Sequence, residues 1–279
     1  MKKENCIFKK IYLFEQSIRK EQLIELIEIM YNTICFSTFP YLVYNQEKSS
    51  TSVRNFNSGN CISFCYFIQM YLQRNYKITS YIVPASVPSL FKVQGTPQMC
   101  HCAILIPINL YEFYLMDGAL YFLEPMFCSL KDNKERTILS SNAHRHVESK
   151  ITYSLKKCQK MFIDKKFDQI IPNKTLCVST RFNESKDDMW NYYLCEILNP
   201  DYNIGYSFLK HKNIPFLMNT YYQDGLVKMK YKIELKDNKL IIYKYPEGNI
   251  ICDGTSEKNI QCNKILKNLH PYFLDYITL

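Results

Sequence analysis

HCAILIPINLYEFYLMD, residues 101–117, consists of two runs rich in β-branched and aromatic residues that meet around Asn109. Runs of this kind joined at a turn-forming residue read as an antiparallel strand pair. If the pair turns at Asn109, His101 and Asp117 are equidistant from its centre. They then face each other directly across the ladder, with side chains on one face. A carboxylate in that place accepts from the imidazole and fixes its tautomer, leaving the other ring nitrogen for a proton from a third group. The question is which nucleophile the chain brings to it.

SGNCISFC, residues 58–65, supplies the candidate. Polar, turn-rich residues 45–60 give way at Cys61 to CISFCYFIQMYLQRNY, an apolar segment of helical length. Cys61 therefore sits in the first turn of a helix, where the partial positive charge favours a thiolate. On position alone a buried core thiol reads equally well, since free cysteine is among the most often buried residue types. The partners His101 and Asp117 turn the balance towards a nucleophile, because one helix start and one hairpin would bring together the three residue types of a thiol triad.

Outward from this centre the chain alternates in character. Residues 16–37 carry Ile18, Leu23, Leu26, Ile27, Met30 and Ile34 at helical spacing and stop before Phe39-Pro40. TSYIVPA (79–85) reads as a strand, and residues 129–148 as a polar loop or linker. TLCVSTRF and YYLCEIL read as short strands. LVKMKYKIELKDNKLIIYKYPEGNIIC follows as a hairpin-like region turning at Asp237-Asn238 and Glu247-Gly248, and a last helix is expected from about Glu257 to Leu269. No period repeats along the chain.

Composition excludes more than it selects. The 279 residues are enough for one large domain or two to three small ones, and 47% hydrophobic with 22% charged residues is ordinary globular usage. The net charge of +9 comes from lysines spread along the chain, with no basic stripe interleaved with aromatics, so nucleic acid is not expected as a partner. No stretch approaches the roughly 18 apolar residues of a membrane span, so no membrane partner is expected either. Twelve irregularly spaced cysteines, with a charged MKKENCIFKK at the start, suggest a cytoplasmic protein with mostly reduced thiols.

Cys100-His101-Cys102 with Cys61-x3-Cys65 could offer soft ligands to zinc. Adjacent strand residues point to opposite faces, however, and His101 could not readily join both neighbours at one ion. No metal is expected. His144-Arg145-His146 reads as a solvated turn, and Trp190, Tyr192 and Tyr193 as core, with an amine-lining role the alternative.

The spacing of these residues resembles a known family. Gly59-Asn60-Cys61 opening a helix, a strand-borne His101 and then Asp117 are similar to the core shared by transglutaminase-like enzymes and arylamine N-acetyltransferases. STFPYLVYNQ (37–46) resembles the latter's Pro-Phe-Glu-Asn-Leu segment, and YEFYLMDGAL its Tyr-Leu-Val-Asp-Val-Gly-Phe-Gly strand. Three places depart from that pattern: Asn57-Ser58-Gly59-Asn60 replaces Arg-Gly-Gly, Phe64 replaces a Glu, and Gly118 alone remains of the glycines after the Asp.

The resemblance implies an α+β fold with a cysteine-proteinase-like core: a helical N-terminal domain (1–85), a β-barrel-like middle domain (86–200) and an α/β C-terminal lid (201–279). It implies acetyl transfer from acetyl-CoA to a small-molecule amine acceptor by a ping-pong reaction. Cys61 would be the nucleophile, His101 the base and Asp117 its orienter, with the Cys61 backbone N–H as oxyanion donor. Phe39 and Phe216 would line the substrate pocket. A transglutaminase-like or peptidase-type thiol enzyme acting on peptide amides, or a decayed binding protein on the same fold, are the alternatives.

Overall fold

Apolar side chains recurring every three or four positions give the first helix its buried stripe, Leu23, Leu26, Ile27, Met30 and Tyr31. A computed structural model of the chain describes residues 17–92, 97–159, 161–165, 169–185, 188–201, 214–237, 239–252 and 265. In it α1 spans Lys20–Thr33, shorter than the 16–37 expected, because Cys35–Ser37 leaves the helix and pairs as strand β1. Short α2 (Phe39–Leu42) starts at the Phe-Pro pair. The stretch read as turn-rich contains a further helix, α3 (Ser49–Phe56). Its composition hid it, since three of its serines are buried and tied to neighbouring groups rather than to solvent; Ser52 Oγ, for example, donates to the Ser58 carbonyl. Strand β2 (Ser58–Gly59) and helix α4 (Cys61–Tyr76) follow, the helix with the bounds its apolar run suggested.

Ten strands come next: β3 (Tyr81–Ala85), β4 (His101–Pro107), β5 (Glu112–Met116), β6 (Met126–Ser129), β7 (Arg136–Asn142), β8 (Val147–Lys157), β9 (Phe162–Asp164), β10 (Gln169–Ile171), β11 (Leu176–Phe182) and β12 (Met189–Tyr193). Eight of them form one sheet in the order β6-β5-β4-β3-β12-β11-β8-β7. Its two edges approach each other: Phe122 bridges to Ser140, and the Tyr153 hydroxyl donates to the Phe127 carbonyl. The result is a nearly closed barrel, which removes most of the exposed strand edge.

Residues 129–148, expected as a loop, are largely the β7–β8 hairpin. Two of the inward positions of this hairpin are serines, Ser140 and Ser149, beside Ile138, Ile151 and Tyr153, so the alternation that marks a strand is muted. The His144-Arg145-His146 turn joins the two strands, with His146 in the left-handed region at φ 56°. Of YYLCEIL only Tyr192 and Tyr193 belong to a strand, β12, which begins earlier at Met189.

Strands β13 (Phe216–Gln223), β14 (Leu226–Lys236), β15 (Lys239–Lys244) and β16 (Asn249–Cys252) follow; the last three turn where the sequence suggested, and β13 extends the hairpin region by one strand on its N-terminal side. They join β1 and β2 in a six-stranded sheet, β16-β15-β14-β13-β1-β2. The helix expected over 257–269 lies outside the described residues. This is the α+β architecture that the sequence implied. Among the described residues no helix is long and apolar enough to cross a membrane. Nine of the described cysteines are free thiols, and Cys252 is disulfide-bonded.

Strand β4 is buried along its whole length and divides the core. Cys102, Ile104 and Ile106 pack towards α4 with Ile62, Cys65 and Ile68. Ala103 and Leu105 point the other way, into the barrel, against Phe113, Leu115 and Tyr192. Just beyond β5 the chain passes so close to α4 and α1 that a Cβ on Gly118 would lie 2.5 Å from Phe64 Cδ1 and 2.9 Å from the end of Met30. We expect Gly118→Ala to cost about 1–3 kcal/mol through overpacking, read as a lower urea midpoint at unchanged slope.

Candidate active site

The start of α4 is built around two small, specific requirements. Asn60 is the N-cap, its side chain accepting from the Ser63 N–H at 3.3 Å. Its Oδ1 also accepts from the Tyr41 and Ser49 hydroxyls at 3.1 Å each, and Tyr41 Oη lies 2.8 Å from Ser63 Oγ. Gly59 lets this buried knot close: a Cβ there would come within 2.0 Å of Ser63 Oγ and 2.8 Å of Tyr41 Oη. Glycine, asparagine and cysteine thus follow one another because the first gives room, the second caps, and the third occupies the first helical position. The backbone N–H at that position has no intrahelical acceptor and is available as an oxyanion donor.

His101 opens β4, and its Nε2 lies 2.5 Å from Asp117 Oδ2. The hairpin pairing runs Ile104↔Met116, Leu105↔Leu115 and Pro107↔Phe113, so its centre falls at Leu110 rather than Asn109. His101 and Asp117 are therefore diagonal neighbours and not directly opposed. The shift is even in pairing terms, so both side chains keep the same face, which is what their contact requires. Asn109 instead shapes the turn, its Oδ1 accepting from the Tyr111 N–H at 2.9 Å.

Asp117 is 1% exposed and accepts four hydrogen bonds. Oδ2 takes His101 Nε2 and the Tyr192 hydroxyl at 2.8 Å, while Oδ1 takes the N–H groups of Ala119 and Leu120 at 3.0 and 3.2 Å. Tyr192 is the site residue that the sequence hid. It is fully buried, as a core residue would be, yet its polar end holds the carboxylate.

With Nε2 committed to Asp117, the other imidazole nitrogen serves Cys61, which is hydrogen-bonded to both Cys102 and His101. Adjacent residues of β4 do point to opposite faces, but Cys61 lies at the end of the strand and meets one side chain from each. The Cys102 hydrogen bond, reinforced by the bond to His101 and its positive charge, outweighs burial and holds the Cys61 thiol down at about 5. Burial alone would lower the imidazole of His101; the charge and hydrogen bond of Asp117, with Cys61, carry it well above its usual value. Both shifts favour a thiolate beside an imidazolium.

Phe39 is fully buried in a separate cluster with Leu217, Ile233 and Ile242. Phe216 is half-buried and stacks on Phe36 at 5.9 Å, which stacks on Phe64 at 6.2 Å. Among the described residues no group of three or more His, Cys, Asp or Glu side chains is arranged to hold a metal ion.

No protein-family model matches the sequence, and a search of curated proteins returns no match. Solved structures do match. The arylamine N-acetyltransferase of Bacillus cereus aligns over 93% of this chain and 94% of its own, with a TM-score of 0.55 at 15% identity. That of Mycobacterium abscessus gives 0.53 at 13% identity over 92% and 86%, and that of Nocardia farcinica 0.51 at 12% over 92% and 84%. The chain has the arylamine N-acetyltransferase fold. The Bacillus cereus protein is described as having a unique Cys-His-Glu catalytic triad. In the present chain the carboxylate beside His101 is that of Asp117.

Two outcomes are expected. Alkylation of Cys61 by iodoacetamide, followed by peptide mass mapping, should keep its rate from neutral pH down to about 5 and fall about tenfold per unit below that. In urea the midpoint should return towards that of an ordinary thiol. Asn60→Ala should cost about 1–2 kcal/mol of stability through loss of the cap, measured by denaturant titration.

Proposed function

We propose that the protein is an acyltransferase that moves an acetyl group from acetyl-CoA to a small-molecule amine through a thioester on Cys61. The observation that carries this reading is the hydrogen-bonded line Cys61–His101–Asp117 at the start of α4, set in an arylamine N-acetyltransferase fold. A thiolate already ionised at neutral pH needs no base in the first step. Its sulfur attacks the acetyl carbonyl, the negative charge that develops on oxygen is met by the Cys61 N–H, and the CoA thiolate leaves, taking a proton from His101.

In the second half-reaction the amine attacks the thioester. His101, now neutral, takes the amine proton while the carbon–sulfur bond to Cys61 breaks and the thiolate is restored. Asp117 moves no proton. It holds the ring in one tautomer and stabilises the imidazolium before and after each turn. A cytoplasmic setting suits a reaction that draws on acetyl-CoA and a reduced thiol.

Intact-protein mass spectrometry after brief incubation with acetyl-CoA tests the proposal. One acetyl group should appear on the native chain and be lost in Cys61→Ala, and His101→Ala should slow its appearance about 100-fold or more. A folded protein that gains no acetyl group, or gains one in Cys61→Ala, would sink it.

A further inference from the structure

The acyl-transfer reading uses Cys61 but leaves two thiols beside it unemployed. Cys102 is 1% exposed and Cys65 2%. Their sulfurs lie 3.6 Å apart, and Cys102 is also hydrogen-bonded to Cys61. Cys61 and Cys65 are one turn apart on α4, so all three thiols converge on the side of β4 that faces the helix. Packing alone does not ask for this, since alanine, valine or serine would fill the same positions without reactive chemistry.

We propose that Cys102 is a resolving thiol, which captures Cys61 as an intramolecular Cys61–Cys102 disulfide when a hydroperoxide oxidises the nucleophile. The inference rests on Cys61 being the reactive thiol of the proposed function. The chemistry balances with hydrogen peroxide as the oxidant. The Cys61 thiolate attacks one peroxide oxygen, a sulfur–oxygen bond forms, the oxygen–oxygen bond breaks, and hydroxide leaves and is protonated to water. The Cys102 sulfur then attacks the Cys61 sulfur; the disulfide forms, the sulfur–oxygen bond breaks, and the hydroxyl departs as water with the Cys102 proton. Peroxide has accepted two electrons, one from each sulfur, and an external dithiol can return them.

The position of Cys61 favours both steps. Its thiolate character makes it the first thiol of the cluster to react, while burial keeps Cys102 and Cys65 protonated. A low thiol pKa also makes Cys61 the better leaving group when a reductant attacks Cys102, so reduction frees the nucleophile first. Without a resolving neighbour, a sulfenic acid at Cys61 passes to the sulfinic acid, which thiols do not reverse.

The test treats the full chain with a several-fold excess of hydrogen peroxide, enough for the two successive oxidations that give a sulfinic acid, blocks remaining thiols with N-ethylmaleimide, and maps peptides without reduction. In the native chain and in Cys65→Ser a peptide linked through Cys61 and Cys102 is expected. Acetyl labelling of Cys61 is lost with its formation and restored in full by dithiothreitol. In Cys102→Ser, Cys61 is expected to reach the sulfinic acid, and dithiothreitol restores nothing. Should that variant not fold, the linked peptide of the native chain decides alone.

A native chain that gives sulfinic acid at Cys61 with no linked peptide overturns the inference, as does a Cys65–Cys102 link with Cys61 unoxidised. Acetyl labelling of untreated protein without a linked peptide after peroxide leaves acyl transfer standing and removes the resolving thiol. A linked peptide in a chain that acetyl-CoA never labels does the reverse.

Discussion

A carboxylate that has left water is the constraint on which this structure turns. Removing an ion such as Asp117 from solvent costs several kcal/mol unless partners repay it. Here the repayment comes from a strand start at His101, a turn at Ala119 and Leu120, and a second strand at Tyr192. Each partner is held by a different element, so the carboxylate cannot be satisfied unless β4, the β5 turn and β12 are all in register. The barrel therefore orients the imidazole as a by-product of paying for a buried charge.

The same strand explains how a helix from the N-terminal part reaches a dyad inside the barrel. β4 has two buried faces, one towards α4 and one towards the barrel interior, and it begins beside Cys61, the first residue of the helix. At the end of a strand a neighbouring group can touch side chains from both faces. Cys61 does so, with His101 from the barrel side and Cys102 from the helix side. The two contacts act in one direction, since a hydrogen bond donated by a thiol and a nearby positive charge both favour the thiolate.

What could be read from the sequence was whatever depends on local pattern. The apolar run from Cys61 to Tyr76, the two runs of the β4–β5 hairpin and the turns at Asp237 and Gly248 carry their structure in composition and spacing. The hairpin centre was misplaced by one residue because Asn109 looks like a turn centre, whereas its side chain caps the turn from the first position. Since two strands shift together, the error left the face of His101 and Asp117 unchanged. Helix α3 is illegible because its buried positions are serines tied to neighbouring groups, and strand β7 because the buried Ser140 breaks the apolar alternation of its inward face. Tyr192 was hidden similarly: a tyrosine between Trp190 and Tyr193 reads as core, and only the fold shows its hydroxyl against Asp117.

The departures from the family pattern are coupled in space, and this bears on what they mean. Phe64, standing where a Glu is usual, is 1% exposed and packs between Tyr31 and Phe36, continuing a stack that reaches Phe216 on the other sheet. Its ring fills the room beside Gly118, so an apolar residue at one position requires the absence of a side chain at the other. The Tyr31 hydroxyl then donates to the Gly118 carbonyl at 3.0 Å, tying the same peptide to α1. The position of Phe64 is a tightly packed apolar one, and its neighbours fit it. The packing closes around the same peptide that carries Asp117, whose carboxylate accepts from His101, Tyr192, Ala119 and Leu120.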